Sequence, residues 1–376
     1  MSGPRFGVWA NVHGTMASPS HPDDPMDASW VRVRDQILLA ERLGFHSTLI
    51  AQHTMNPLGE ELDQLDAWTA AAAAAALTEE IEIITAIKPS IIHPTILAKQ
   101  ALGIEEISRG RFAVNVVNAW WKPDLERAGM PWVSWPDPAD KTGAPVAGIG
   151  MLPHDERYVF GTEWLHVVRR LLTGERVSFE GKYFSIDEFG LRPAGTYRER
   201  PRIYLGGESS PARDLAAAES DVLFLNGQSP EQAAELIADV RRRPRPSGRE
   251  PLKFGLAAFV IAEETDERAE EVLVEHFLRS KRDAEGDGGG MNDFSGQIDP
   301  GSPMWKRLLS TAHVGPNGGT AAGLVGSYDT VTRRILDWHD LGIETFMLAY
   351  QPFEAEMERF AAEVAPRVAA LRAAVA

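Results

Sequence analysis

The chain contains no cysteine among its 376 residues, so disulfides, thiolate metal sites and cysteine nucleophiles are excluded together. Basic residues are scarce, with 38 Lys and Arg against 54 Asp and Glu and a formal charge of −16. Binding to phosphate backbones needs clustered Lys and Arg, so no nucleic-acid or anionic-membrane surface is expected. No apolar run approaches the roughly eighteen residues of a spanning helix, and Met1-Ser-Gly-Pro-Arg-Phe-Gly7 lacks the apolar stretch of a secretory signal. A cytoplasmic protein is the expectation.

Several chemistries are missing as well. There is no Walker loop and no zinc-protease helix, and Gly207-Glu208-Ser209-Ser210-Pro211 carries proline where a nucleophile elbow needs glycine. Asp283, Glu285, Asp287 and Gly288 begin like a calcium loop, but the twelfth position is Phe294. The ten histidines show no ligand spacing, so no metal is expected. The first strand lacks a glycine-rich phosphate turn behind it, Trp9-Ala-Asn-Val-His-Gly14 having none of that spacing, which weighs against a doubly wound sheet.

What is present is a regular alternation. Phe112–Val117 is a short β-branched run interrupted by one amide, so it reads as a buried parallel strand with a polar group, Asn115, near its C-terminal end. Phe6–Trp9, Phe45–Ile50, Ile81–Ala86, Ile203–Leu205, Val222–Leu225, Phe254–Ile261 and Thr345–Leu348 supply seven further strands, separated by helical patterns. The stripe Trp30, Val33, Ile37 and Ala40 stops at Gly44, and Asp66–Leu77 is nearly pure alanine. Glu41-Arg-Leu-Gly-Phe and His339-Asp-Leu-Gly-Ile repeat the same grammar of helix, Leu-Gly stop and strand. Eight β/α units predict an α/β protein, a closed (β/α)8 TIM barrel over residues 1–376, with insertions at about 118–154, 176–200 and 283–325. Val177–Ile186, split by Glu180-Gly181, reads as a hairpin within the second. The proline-rich stretch 131–153 and the glycine-rich one 283–325 are long enough for lids or subunit contacts at the catalytic mouth.

The chemistry that remains is that of an anion and a ring. Leu205-Gly206-Gly207-Glu208-Ser209-Ser210-Pro211 runs from a strand through a glycine turn into a helix start, presenting backbone N–H groups and two hydroxyls to a phosphate. His154-Asp-Glu-Arg157-Tyr158 opens another helix and could grip the same phosphate from the other side. A capped helix with solvated charges is the plain alternative.

Asn115-Val-Val-Asn-Ala-Trp120, His154–Tyr158, Gly206–Asp214 and Asn226-Gly227 together resemble the bacterial luciferase-like flavin monooxygenases, in the branch holding dimethyl sulfone, alkanesulfonate and pyrimidine oxygenases. The likeness covers residues 5 to 370. It implies a luciferase-like barrel, reduced FMN delivered by a separate NAD(P)H-dependent reductase, O2 as co-substrate and a homodimer or homotetramer. It further implies that Gln52 and His53 meet the flavin and that Ala86 lies beneath the ring. Asn115 and Trp120 would line the flavin and oxygen pocket, and Asp124, Arg157, Tyr158, Gly207, Ser209 and Ser210 would surround the ribityl chain and phosphate. Asn115, Trp120 and His53 are the candidate catalytic residues, with His13 as a second candidate for handling a proton.

Ala257 and Phe259 stand where alkanesulfonate enzymes carry Arg and His, and losing a bidentate cation argues against a sulfonate. The run Ala86-Ile-Lys-Pro-Ser nevertheless resembles the sulfonate branch. The expected substrate is a sulfone or other organosulfur compound, with an N-heterocycle or a sulfonate as alternatives. The same fold also hosts deazaflavin-dependent hydride-transfer enzymes and flavoproteins that only hold the cofactor.

Overall fold

A computed structural model describes residues 3–375 other than 16, 119–120, 122, 129–151, 286–313 and 316. The expectations placed on Trp120, on most of the proline-rich insertion and on Gly288–Gly290 therefore fall outside the described residues.

In chain order the strands are β1 (Arg5–Ala10), β2 (Ser47–Ile50), β3 (Glu82–Ile87), β4 (Phe112–Val117), β5 (Val177–Glu180), β6 (Ser185–Phe189), β7 (Arg202–Gly206), β8 (Val222–Leu225), β9 (Lys253–Phe259), β10 (Ile261–Glu263), β11 (Val325–Ser327) and β12 (Ile343–Ala349). Eight of them close a barrel in the order β1-β12-β9-β8-β7-β4-β3-β2, every pairing parallel. The eight strands read from the sequence are these eight. The first helices are α1 (Trp30–Arg42), α2 (Ala67–Leu77), α3 (Pro94–Ile107), α4 (Pro123–Glu126), α5 (His154–Leu172), α6 (Ser210–Glu219), α7 (Pro230–Arg241) and α8 (Asp266–Glu285). Ser29, Asp66, Ser209 and Ser229 cap α1, α2, α6 and α7 with their side-chain oxygens, so each start is encoded locally.

Strand parity divides the buried residues into two shells. One face of each strand packs against the helices, with Val8, Ile83, Val114, Ile203, Leu223 and Leu348 in the large outer core. The other face points into the barrel, where Trp9, Leu49, Ile84, Ala113, Tyr204, Phe224 and Met347 form one layer. Gly7 makes room for it: a Cβ there would lie 2.8 Å from Met347 Cε. Beneath this layer Tyr204 Oη donates to Glu82 Oε2 at 2.7 Å and Arg202 Nη1 to Glu82 Oε1 at 2.8 Å, closing the barrel floor with an ion-paired plug. Two residues further along the same inward face come Asn11, Ala51, Ala86, Asn115, Gly206 and Ala349, at the C-terminal ends of the strands.

Three boundaries differ from the sequence reading. The second strand begins at Ser47 rather than Phe45, because Phe45 is still packed against Phe360 outside the barrel. Phe254–Ile261 is not one strand: Val260 N bonds Ala349 O, but Ile261 N bonds Leu324 O, so the chain leaves the barrel and β10 pairs with β11. Finally, α8 runs through Asp283 to Glu285, where a loop was expected, and Ser18 Oγ donates to Asp283 Oδ2 at 2.5 Å. The hairpin β5–β6 lies where Glu180-Gly181 indicated.

Candidate active site

The inward-facing strand ends and the loops above them enclose a cavity of about 240 Å³. Of the residues singled out from the sequence, Gln52, His53, Ala86, Asn115, Arg157, Tyr158, Gly207 and Ser209 line it. Asp124 and Ser210 do not.

One side of the cavity gathers groups that suit an anion. The turn after β7 takes φ +145° at Gly207, where a Cβ would come within 3.0 Å of Ala212 Cβ and 3.2 Å of Tyr158 Oη, so only glycine leaves that space open. Ser209 follows as the N-cap of α6 and accepts from Ala212 N at 3.4 Å. Tyr158 and buried Arg157, from the first turn of α5, close the cup from the opposite side. Burial raises the Tyr158 pKa despite its hydrogen bond with Ser209, which keeps the phenol a donor. Two helix N-termini, one guanidinium and two hydroxyls thus converge. Ser210 is turned away, its Oγ accepting from Arg243 Nη2 at 3.0 Å and its carbonyl from Arg243 Nη1 at 2.9 Å. The reason is geometric: Ser209 is the cap, and the next residue on the helix surface faces outward.

A second side offers polar atoms without partners. Asn115 is 5% exposed, and its Oδ1 has no hydrogen-bond partner among the described residues. The same holds for Asn118 Nδ2 and Asn11 Nδ2, both buried on the same cavity. The Asn118 amide packs against Gly161 of α5, where a Cβ would lie 2.1 Å from its Oδ1. Buried amides are normally satisfied, so three with a partnerless atom among the lining residues of one cavity single out this surface. Ala86, paired in register with Asn115, leaves a flat shelf beside it.

The third side carries the histidines. His13 Nδ1 donates to the Gly14 carbonyl at 3.0 Å, and burial lowers its pKa from 6.5 to about 4. His53 is lowered well below 6.5, first by burial, then by the charges of Lys88 and His13. Both imidazoles are neutral at pH 7. Lys88, which follows β3 and also lines the cavity, contacts Asp124 Oδ2 at 2.5 Å, and Asp124 Oδ1 accepts from Thr54 N at 2.7 Å. Asp124 therefore holds protein groups rather than facing the cavity. The rest of the lining is largely apolar, with Trp9, Leu49, Phe224, Met347, Ala257 and Phe259, and also includes the polar residues Thr15, Glu208, Asn226 and Asn317.

Asn11, Asn118, Lys88 and Tyr350 also line the cavity and were not singled out in the sequence. Period-2 spacing offered a signal for Asn11, which stands two residues beyond Trp9 on the same face. Lys88 could have been noticed as a single cation in the apolar run Ile81–Ile92. Among the described residues no group of three or more His, Cys, Asp and Glu is placed to hold a metal ion.

Comparison with known proteins agrees with this geometry. Residues 5–345 match the model of the luciferase-like monooxygenase family. An FMNH2-dependent dimethylsulfone monooxygenase of Pseudomonas putida is 31% identical over 379 residues, covering 99% of this chain and 98% of that protein. One from Pseudomonas fluorescens is 29% identical, with 98% and 95% covered. Among solved structures, DmoA from Hyphomicrobium sulfonivorans superimposes with a TM-score of 0.72 at 20% identity, over 98% of this chain and 88% of that one, a likeness of fold. The chain belongs to the luciferase-like monooxygenase family.

Proposed function

We propose that this protein oxygenates a small, neutral organosulfur substrate, foremost a sulfone, using O2 and reduced FMN supplied by a separate NAD(P)H-dependent reductase. One observation carries the reading: an anion-binding cup and amides with partnerless atoms line one cavity that also has a large apolar surface from Trp9, Leu49, Phe224, Met347, Ala257 and Phe259. The relatives named for FMNH2 and dimethylsulfone support it.

Bound reduced FMN supplies the electrons that activate O2. Arg157, Tyr158, Ser209 and the Gly207 turn fit its phosphate, and the Ala86 shelf with the Asn115 amide fits the ring edge. Asn115 orients that edge, while Trp9, Phe224 and Met347 exclude water, so that oxidation of the substrate competes with loss of reducing equivalents to H2O2. His13 Nδ1–H is committed to the Gly14 carbonyl, which leaves Nε2 as its proton-accepting atom.

The charge on the wall favours a sulfone over a sulfonate. Ala257 and Phe259 present no cation, Arg157 stands at the phosphate end and the Lys88 ammonium is taken up by Asp124. An anionic head would enter a dry site without a free counter-charge. The test is O2 consumption by the protein with FMN, NADH and a flavin reductase, using matched sulfones and sulfonates. Uptake stimulated by sulfones supports the reading, and stimulation by sulfonates alone overturns the substrate assignment.

A further inference from the structure

The catalytic reading leaves one buried feature unexplained. Lys88 is 2% exposed and Asp124 fully buried, and their ion pair joins a residue of the cavity lining to one outside it. A buried pair of this kind gains little over well-packed apolar residues, because desolvation offsets the Coulomb attraction, so its presence calls for a role beyond stability.

Its contacts define that role. Lys88 Nζ lies 2.5 Å from the Gln52 carbonyl and 3.1 Å from Gln52 Oε1, so one ammonium grips both the backbone and the side chain of a cavity residue. Asp124 takes the amide of Thr54 two residues later, and His53 Nδ1 between them lies 3.9 Å from Asp124 Oδ2. Gln52 and Thr54, which flank His53 beyond β2, are thereby held by one cation that follows β3 and one anion from α4. We propose that Lys88 and Asp124 are a positioning pair, which clamps Gln52–Thr54 so that Gln52 and His53 present a fixed surface to the reaction space. The pair deepens the functional reading, but the clamp itself exists without flavin or substrate.

The titratable groups facing His53 follow from the same geometry: Lys88 just after β3, Asp124 from α4 and the neutral His13 from the loop after β1, with the Trp121 ring edge-on at 5.7 Å. While Lys88 is present the carboxylate is neutralised and burial keeps His53 unprotonated. Without Lys88 the imidazole becomes the nearest base to a buried anion, and protonating it restores the missing cation. Removing both charges takes that incentive away.

The experiment follows the titration of His53 by NMR in the flavin-free full chain labelled in histidine, with His53→Gln assigning the signal. Lys88→Met is expected to move the His53 midpoint to higher pH. Lys88→Met/Asp124→Leu, which leaves no unpaired charge and so protects the fold, is expected to return it to the parental position. Turnover of the double variant with reduced FMN is expected to fall about tenfold for the lost clamp, with its melting temperature near the parental one, and Lys88→Arg is expected to recover most of it. An unchanged His53 midpoint in Lys88→Met, or full turnover in the double variant, overturns the proposal. The NMR arm involves neither flavin nor substrate, so its failure is distinct from failure of the monooxygenase reading.

Discussion

Ala86 and Asn115 stand side by side at the ends of adjacent strands, one contributing a methyl shelf and the other an amide whose Oδ1 meets no partner among the described residues. A structural asparagine would be satisfied by the protein itself. Asn115→Leu keeps the volume and deletes donor and acceptor, so turnover should fall by about 2–4 kcal/mol in transition-state stabilisation while the barrel stays folded. Product formation and melting temperature, measured on the same variant, separate the outcomes. A destabilised but fully active protein would remove Asn115 from the site.

The phosphate cup makes a sharper demand, because it distinguishes neighbours. Arg157→Ala should weaken FMN binding by about 1.5–3 kcal/mol, the scale of a charge-assisted hydrogen bond. Gly207→Ala should weaken it too, since the new methyl meets Ala212 and the Tyr158 hydroxyl in a backbone region that disfavours side chains. Ser210→Ala should leave flavin affinity unchanged, because that hydroxyl belongs to Arg243. Fluorescence titration of the three variants reads all of these at once, and a strong loss in Ser210→Ala would redraw the cup.

The difference between Ser209 and Ser210 also marks what a sequence can convey. Eight strands and the glycine turn were legible because period-2 runs, Leu-Gly stops and helix caps are local signals, and each is used locally in the fold. Which of two adjacent serines faces the cavity depends on the angle at which α6 leaves β7, a tertiary quantity. The Lys88–Asp124 pair was illegible for a related reason: residues far apart in the chain meet only after the barrel closes. The resemblance placed Asp124 at the ribityl chain and phosphate, and nothing near it in sequence shows the ammonium it neutralises.

Acid should destabilise the protein partly through His13. Its folded pKa of about 4 lies below the ordinary 6.5, so between these values the unfolded chain holds a proton that the folded chain does not. Stability therefore falls as pH drops through that window, by about 2 kcal/mol between pH 6.5 and 5 for this one group. Glu356, raised to about 7, works in the opposite direction, its protonated folded form favoured between 4.5 and 7. Comparing urea unfolding of the parent and His13→Gln at pH 7 and pH 5 isolates the histidine. The variant should lose less stability on acidification, and equal losses would mean that His13 is not held neutral.

The barrel floor should matter for stability and not for the flavin. Tyr204→Phe removes the hydroxyl from Glu82 while leaving Arg202 in place, which should cost about 1–2 kcal/mol in unfolding free energy. Flavin affinity should be unaltered, since the ring's stacking on Phe224 at 5.1 Å is retained. A change in flavin affinity larger than the change in stability would show that floor and mouth are coupled.

The most direct test of the whole account is the fate of the oxygen atoms. The protein, a flavin reductase, NADH and FMN are supplied with 18O2 and dimethyl sulfone, and the products are read by mass spectrometry. One 18O atom is expected in the organic product, formed only when reduced FMN is present, with no labelled product from a sulfonate of the same size. Substrate turnover that proceeds without O2 on a reduced or oxidised deazaflavin, with no label incorporated under FMN, would contradict it.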